Sequence, residues 1–268
     1  MEEEFFVVLP SNTISDEFPQ NKISNFSIGL PTQLTLGSYN WEVALAEISY
    51  PHTWYNIDES FAFIDVTVYT YNGSDSEANQ KRLNISPGHY NNGVELIYKI
   101  NQTLKANLYQ SKFRYSEKSN KASVILYISD EFEEVVRLPT KLASVLGFHK
   151  NYLGTRFLTI PKPSTSLWRE DAESCVDLSI NTHNLFIYTN IIKETLVGNQ
   201  YVPLLRTVPT LEKNRNTYVS VQFTNFHYIP LVSNYIKQIT IDIRDDQGDN
   251  IKFQSGKVTV KLHFRRKV

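Results

Sequence analysis

Three stretches near the end of the chain decide the fold: Ile239-Thr240-Ile241-Asp242-Ile243, Asp246-Gln247-Gly248-Asp249, and Val258-Thr259-Val260-Lys261-Leu262-His263-Phe264. Isoleucine at every second position puts three branched apolar side chains on one face of the first run, with Thr240 and Asp242 on the other. Val258, Val260, Leu262 and Phe264 repeat the pattern in the last. A period of two is that of a β-strand with one buried and one wet face. The Asp- and Gly-rich stretch between them supplies a turn, so the two runs read as a hairpin.

The same texture extends outward. Val176-Asp177-Leu178-Ser179-Ile180 and Leu185-Phe186-Ile187-Tyr188 read as strands, as does Val219–Phe223. At the other end, Phe5-Phe6-Val7-Val8-Leu9 is a continuous apolar run stopped by Pro10, as expected of a first strand covered on both faces. Phe26, Ile28 and Leu30, resumed by Leu34 and Leu36 after Pro31, read as an edge or interrupted strand. Trp41 to Ile48 is another strand, ended by Pro51, and Phe61 to Tyr71 one more.

In the middle the period changes. After a helix start at Ser86-Pro87-Gly88, Leu96 or Ile97, Ile100, Leu104 and Leu108 share one face of a helix across about 92–108. Phe113–Tyr115 and Val124–Ile128 form strands about the polar turn Ser116–Lys121. Thr140 offers an N-cap, Leu142, Val145 and Leu146 an apolar face, and Gly147 a stop for a short helix. Pro161–Pro163 with Ser164, Thr165 and Ser166 reads as a linker or exposed loop. No repeated helical crossover would build a parallel sheet. The expected fold is mainly β: a jelly-roll antiparallel sandwich from 1–71 and 151–268, with an α+β domain inserted at 72–150.

Composition limits the function classes. Over 268 residues the formal net charge is -1, too small a field to steer the whole molecule to nucleic acid or an acidic membrane. No run of ~20 apolar residues provides a membrane helix. Met1-Glu2-Glu3-Glu4 lacks the basic leader of a signal peptide. The single Cys175 excludes an internal disulfide and a cysteine zinc cluster, fits a reducing compartment such as cytosol or nucleus, and is expected to be buried.

Chemical motifs are sparse. His52, His89, His149, His183, His227 and His263 stand singly, without metal-ligand spacing. Asp245-Asp246-Gln247-Gly248-Asp249 lacks the spacing and distant Glu of a calcium loop, and its residues are those of a turn. Ser86-Pro87-Gly88-His89 could hold an anion at a helix N-terminus, but it lacks phosphate-loop glycines and reads as an ordinary helix start. There is no GxSxG elbow, and Cys175 has no basic neighbour to activate it. Glu133-Glu134 and Asp245-Asp246 are adjacent, so on strands they point to opposite faces and serve solvation. No catalytic residue, cofactor or metal is implied, and the expectation is a protein that is not an enzyme. Arg265-Arg266-Lys267 closes the last strand with positive charge. A solvated end explains it, and contact with nucleic acid or an acidic partner is the sharper alternative.

Specific strings go further. Phe5-Phe6-Val7-Val8-Leu9-Pro10-Ser11-Asn12, Trp41-Glu42-Val43-Ala44-Leu45-Ala46-Glu47-Ile48-Ser49-Tyr50-Pro51, Tyr201-Val202-Pro203-Leu204-Leu205-Arg206 and Gly256–Arg266 resemble the penton, or minor capsid, proteins of Polinton (Maverick) elements and adintoviruses. The resemblance spans nearly the whole chain. It implies a single jelly roll forming homopentamers at the vertices of an icosahedral particle, beside a double-jelly-roll major capsid protein. It also implies a place in the virion, after synthesis in a host cytoplasm and assembly in the nucleus. A ring uses one head-to-tail interface repeatedly and needs two complementary faces per subunit. Trp54, Tyr55, Phe226, Tyr228 and Tyr235, lying near prolines and loops, are the expected interface anchors, with core packing as their alternative. A carbohydrate- or ligand-binding jelly roll is the main competing reading, and an enzyme built from remote residues the next.

Overall fold

The computed structural model describes residues 3–13, 16–72, 75–129, 131–154, 165–179, 182–210 and 217–267. In chain order the elements are β1 (Glu4–Pro10), β2 (Asn25–Thr35), β3 (Trp41–Pro51), β4 (Phe63–Asn72), β5 (Asp75–Asn84), α1 (Gly93–Ala106), β6 (Lys112–Ser116), β7 (Lys121–Ser129), β8 (Phe132–Arg137), α2 (Thr140–Leu146), β9 (Tyr152–Leu153) and β10 (Thr165–Asp171). They continue with β11 (Asn184–Thr189), β12 (Thr195–Val197), β13 (Gln200–Val202), β14 (Leu204–Pro209), β15 (Tyr218–Gln222), β16 (Ile229–Pro230), β17 (Tyr235–Arg244) and β18 (Thr259–Arg266). The chain divides into two compact units, one of Met1–Trp54 with Thr182–Val268, the other of Tyr55–Asn181.

The first unit is a jelly-roll sandwich. One sheet runs β1-β18-β3-β15, with β16 also on β3, and the other β14-β11-β17-β2. All its strand pairs are antiparallel. Leaving out the small β12-β13 ribbon and counting β15 and β16 as one strand, the eight strands in chain order stand 1-8-3-6 in one sheet and 2-7-4-5 in the other. That interleaving is the double Greek key of a jelly roll. The alternation read from the sequence is what closes it. Val260, Leu262 and Phe264 from one sheet and Ile239, Ile241 and Ile243 from the other are all buried in one core, together with Leu45, Ile48, Leu185 and Ile187.

β17 and β18 are therefore not the hairpin that their turn suggests. β17 pairs with β2 and β11, and β18 with β1 and β3. The Asp245–Asp249 turn forms, with Gly248 at φ 85° and Asp245 accepting from the Gln247 and Asp249 amides, but it closes only on an Arg244–Asn250 bridge. The chain then crosses to the facing sheet, where both apolar faces meet in the core. β1 also departs from expectation. It is an edge strand with Phe5, Val7 and Leu9 turned inward and Phe6 and Val8 exposed. A continuous apolar run does not by itself distinguish a covered strand from an edge strand.

The second unit is a seven-stranded antiparallel sheet in the order β10-β7-β8-β4-β5, with β6 on β7 and β9 on β8. Leu96, Ile97, Ile100 and Leu104 of α1 and Leu142, Val145 and Leu146 of α2 share its core with Ile64, Val66, Val124, Leu126 and Val136. The unit is wider than the 72–150 expected, because β4 pairs with β5 and β8, and β10 with β7. α1 begins later than Ser86-Pro87-Gly88. Gly88 bridges Ile57, and the cap is Asn92, whose side chain accepts from the Glu95 amide. The candidate anion site thus has no helix end behind it. At α2, Pro139 stands at the N-cap and Thr140 makes no side-chain cap, while Gly147 ends the helix at φ 83° as expected. Residues 176–179 form no strand, Ile180 lies outside the described residues, and so do Pro161–Ser164 of the expected linker. Thr165 already opens β10.

Candidate functional site

The densest cluster of polar and aromatic groups lies on the outer face of the first sheet, around His263. Its inward neighbours Leu262 and Phe264 fill the core, so the imidazole points outward, yet it is buried. Three rings cover it: Phe6 of β1 stacks at 4.4 Å between centroids, and Phe226 and Tyr228 lie at 5.2 Å and 5.8 Å. The last two come from the segment between β15 and β16, both of which pair with β3. To reach His263 on β18, that segment must lie over β3. In register with His263 on that strand is Ala44, small enough to leave the room.

Nδ1 of His263 lies 2.8 Å from the Tyr228 hydroxyl, and Nε2 faces the Glu4 carboxylate at 3.4 Å without a hydrogen bond. Burial pushes the Tyr228 phenol above its usual range, and the neighbouring Arg265 cation opposes that shift. The cluster holds the N-terminal strand and the 223–228 segment on the sheet. Sequence reasoning gave His263 no role. Its outward position in a strand, two residues after Lys261, was the only available sign.

The expected interface residues divide. Trp54 is a core residue, buried and packed against Tyr50, His52 and Phe253 within its own unit. Tyr55 is half-buried and belongs to the second unit. Phe226 and Tyr228 are half-buried and engaged with His263. Tyr235 is 64% exposed at the start of β17. It lies where the loops before β3 and before β17 are joined by Asn234, which donates to the Gly37 and Tyr39 carbonyls.

The basic end is not a free tail. Arg265 donates to Glu42 at 2.6 Å and covers the Tyr228 ring, Arg266 lies 3.4 Å over the Tyr39 ring, and the Lys267 amide donates to Asn40. The side chain of Lys267 is exposed.

Among the described residues no group of three or more His, Cys, Asp or Glu could hold a metal ion. His149 Nε2 lies 2.9 Å from Ser174 Oγ at the surface, the pairing a nucleophile needs, but the nearby Glu173 carboxylate accepts from the His149 backbone amide, and a ring-orienting carboxylate is what a triad requires. Cys175 is exposed, not buried. Glu133 and Glu134, expected to serve solvation, are both buried.

The whole chain shares its fold with a solved viral protein. The crystal structure of the mavirus penton protein matches 99% of this chain and 100% of its own, with a TM-score of 0.50 at 11% identity. A chain from the structure of the Sputnik virophage matches 100% of this one and 99% of its own, with a TM-score of 0.48 at 14% identity. No family model matches the chain. No curated protein matches it in sequence.

Proposed function

We propose that this chain is the penton, or minor capsid, subunit of a particle of the Polinton and adintovirus kind. It forms homopentamers at icosahedral vertices beside a double-jelly-roll major capsid protein. The observation that carries the reading is the single jelly roll with a large insertion between its third and fourth strands, in a chain that aligns end to end with the mavirus penton protein. The sequence strings around Trp41–Pro51 and Gly256–Arg266 point to the same family independently of the fold.

A shell role asks for surfaces, not reactive groups. A ring needs two different complementary faces on each subunit, and exposed Phe6, Val8, Leu196, Tyr201 and Tyr235 supply apolar area on the sandwich unit. Tyr235 remains the proposed anchor from the expected set. The reading needs no nucleic-acid contact from Arg265 or Arg266, whose side chains are already engaged.

Absolute mass in solution tests it, followed by coexpression with the major capsid protein encoded beside it. The expected mass is that of a pentamer of the 31.0 kDa chain, and the chain should co-purify with particles. A stable monomer that never enters particles would remove the assignment.

A further inference from the structure

The imidazole of His263 is buried with one of its two nitrogens unused. Nδ1 meets the Tyr228 hydroxyl at 2.8 Å, while Nε2, equally enclosed, has no hydrogen bond among the described residues although the Glu4 carboxylate stands 3.4 Å away. That arrangement fits a neutral ring whose proton sits on Nδ1 and is donated to the Tyr228 oxygen. Nε2 then turns a lone pair towards a negative oxygen, and no bond can form. An imidazolium differs in the one respect that matters here: both nitrogens carry a proton, so both partners can be served at once. The Glu4 side chain is 67% exposed, and nothing in its burial prevents it from closing the remaining gap to a charge-assisted bond.

The surroundings leave Glu4 to this histidine. On β18 the cations Lys261 and Arg265 flank His263 on the same face, and each has a carboxylate of β3 beside it. Arg265 donates to Glu42 at 2.6 Å, and Lys261 stands opposite Glu47 in the register. Burial raises the Tyr228 phenol, which keeps it neutral. His227, the other titratable group of the covering segment, is exposed. A positive ring is further favoured by the face of Phe6, stacked on it at 4.4 Å. Glu4 and Phe6 both belong to β1, an edge strand whose only sheet partner is β18. Side-chain contacts such as these therefore decide how firmly the start of the chain is docked.

We infer that His263 is a proton-operated latch on the N-terminal strand. Protonated, it clamps Glu4 of β1 and Tyr228 of the covering segment to the same ring. Neutral, it keeps Tyr228 and lets Glu4 go, so the start of β1 opens more often. The contribution is present in acid and is lost as pH rises through the span in which histidine titrates, roughly pH 5 to 8. The latch stands on the geometry of one face of one sheet and does not depend on the penton reading.

The backbone of β1 supplies the readout. The Arg266 amide donates to the Glu3 carbonyl and the Ser11 amide to the Val258 carbonyl, and in an antiparallel ladder alternate residues exchange both bonds, so the Phe5 and Val7 amides point at β18. Hydrogen exchange of these two amides is measured on the full chain and expressed as protection factors, which removes the chemical pH dependence. Both should be about tenfold better protected near pH 5.5 than near pH 8. The ratio should vanish in Glu4→Gln, which keeps an exposed polar side chain without the charge, and in His263→Phe, which keeps a ring beneath Phe6. Because Glu4 is exposed, Glu4→Gln decides the matter even if His263→Phe does not fold. Equal protection at the two pH values would make His263 a purely structural contact and overturn the inference. Better protection at the higher pH would overturn it too, by showing that the buried charge is repelled, and a ratio that survives in Glu4→Gln would assign the effect to another group.

Discussion

Nε of Arg265 lies 2.6 Å from Oε1 of Glu42, a carboxylate buried on the outer face of the first sheet. The guanidinium also covers the ring of Tyr228 at 3.4 Å, so one cation joins β18, β3 and the segment that roofs His263. Removing it leaves a buried carboxylate without its partner, which costs ~3–5 kcal/mol in a fully buried pair. Arg265 is half-exposed, and water reaching the site reduces the loss. Arg265→Ala should therefore lower stability by about 2 kcal/mol. Lys267→Ala, which removes an exposed side chain, should stay within ~0.5 kcal/mol. Urea midpoints at neutral pH with unchanged m-values measure both. Equal, negligible losses would mean that the basic end is a solvated tail after all.

That result bears on what the sequence could reveal. Ile239, Ile241 and Ile243 show the inward face of a strand without any structure, because a period of two has one physical cause. Which sheet a strand joins is another matter. The Asp245–Asp249 turn is local and was legible, whereas the crossing from β17 to β18 depends on partners more than 190 residues away, such as Phe26 and Leu45. Trp54 shows the same limit from the other side. An aromatic near Pro51 reads equally well as an anchor or as core, and only packing against Tyr50 and Phe253 decides it. The His263 cluster was hidden for a related reason. Its parts come from β1, β18 and the segment before β16, and none carries a motif.

Tyr50 makes a test at alkaline pH. It is buried in the sandwich core, its hydroxyl has no hydrogen-bond partner among the described residues, and burial pushes its pKa from 10.0 up to about 12. The fold therefore favours the neutral phenol. Its contribution is complete below the unfolded value of 10.0 and is lost as pH rises towards about 12. Tyr50→Phe removes both the ionisation and an unpaired buried polar atom. At neutral pH the variant should be more stable by about 1 kcal/mol. Between pH 10 and 12 its melting temperature should fall less steeply than that of the parent chain. Parallel curves over that window would show that another group drives the alkaline loss.

The neighbours Glu133 and Glu134 of β8 should respond in opposite directions. Both are buried, but they point to opposite faces of the strand. Glu134 accepts from the amides of Gln110 at 3.1 Å and Ser111 at 2.7 Å, closing the turn that follows α1. Among the described residues neither carboxylate oxygen of Glu133, which is 1% exposed, has a hydrogen-bond partner. An unsatisfied buried polar group costs ~1–3 kcal/mol, and the penalty is recovered when an apolar side chain of similar volume replaces it. Glu133→Leu should raise the melting temperature of the chain. Glu134→Leu should lower it, because the Gln110 amide and the buried Ser111 amide lose their acceptor. Thermal unfolding followed by circular dichroism distinguishes the pair. A loss from Glu133→Leu as large as that from Glu134→Leu would mean that the Glu133 carboxylate has a partner in solution, and its burial would then be a binding feature of this sheet.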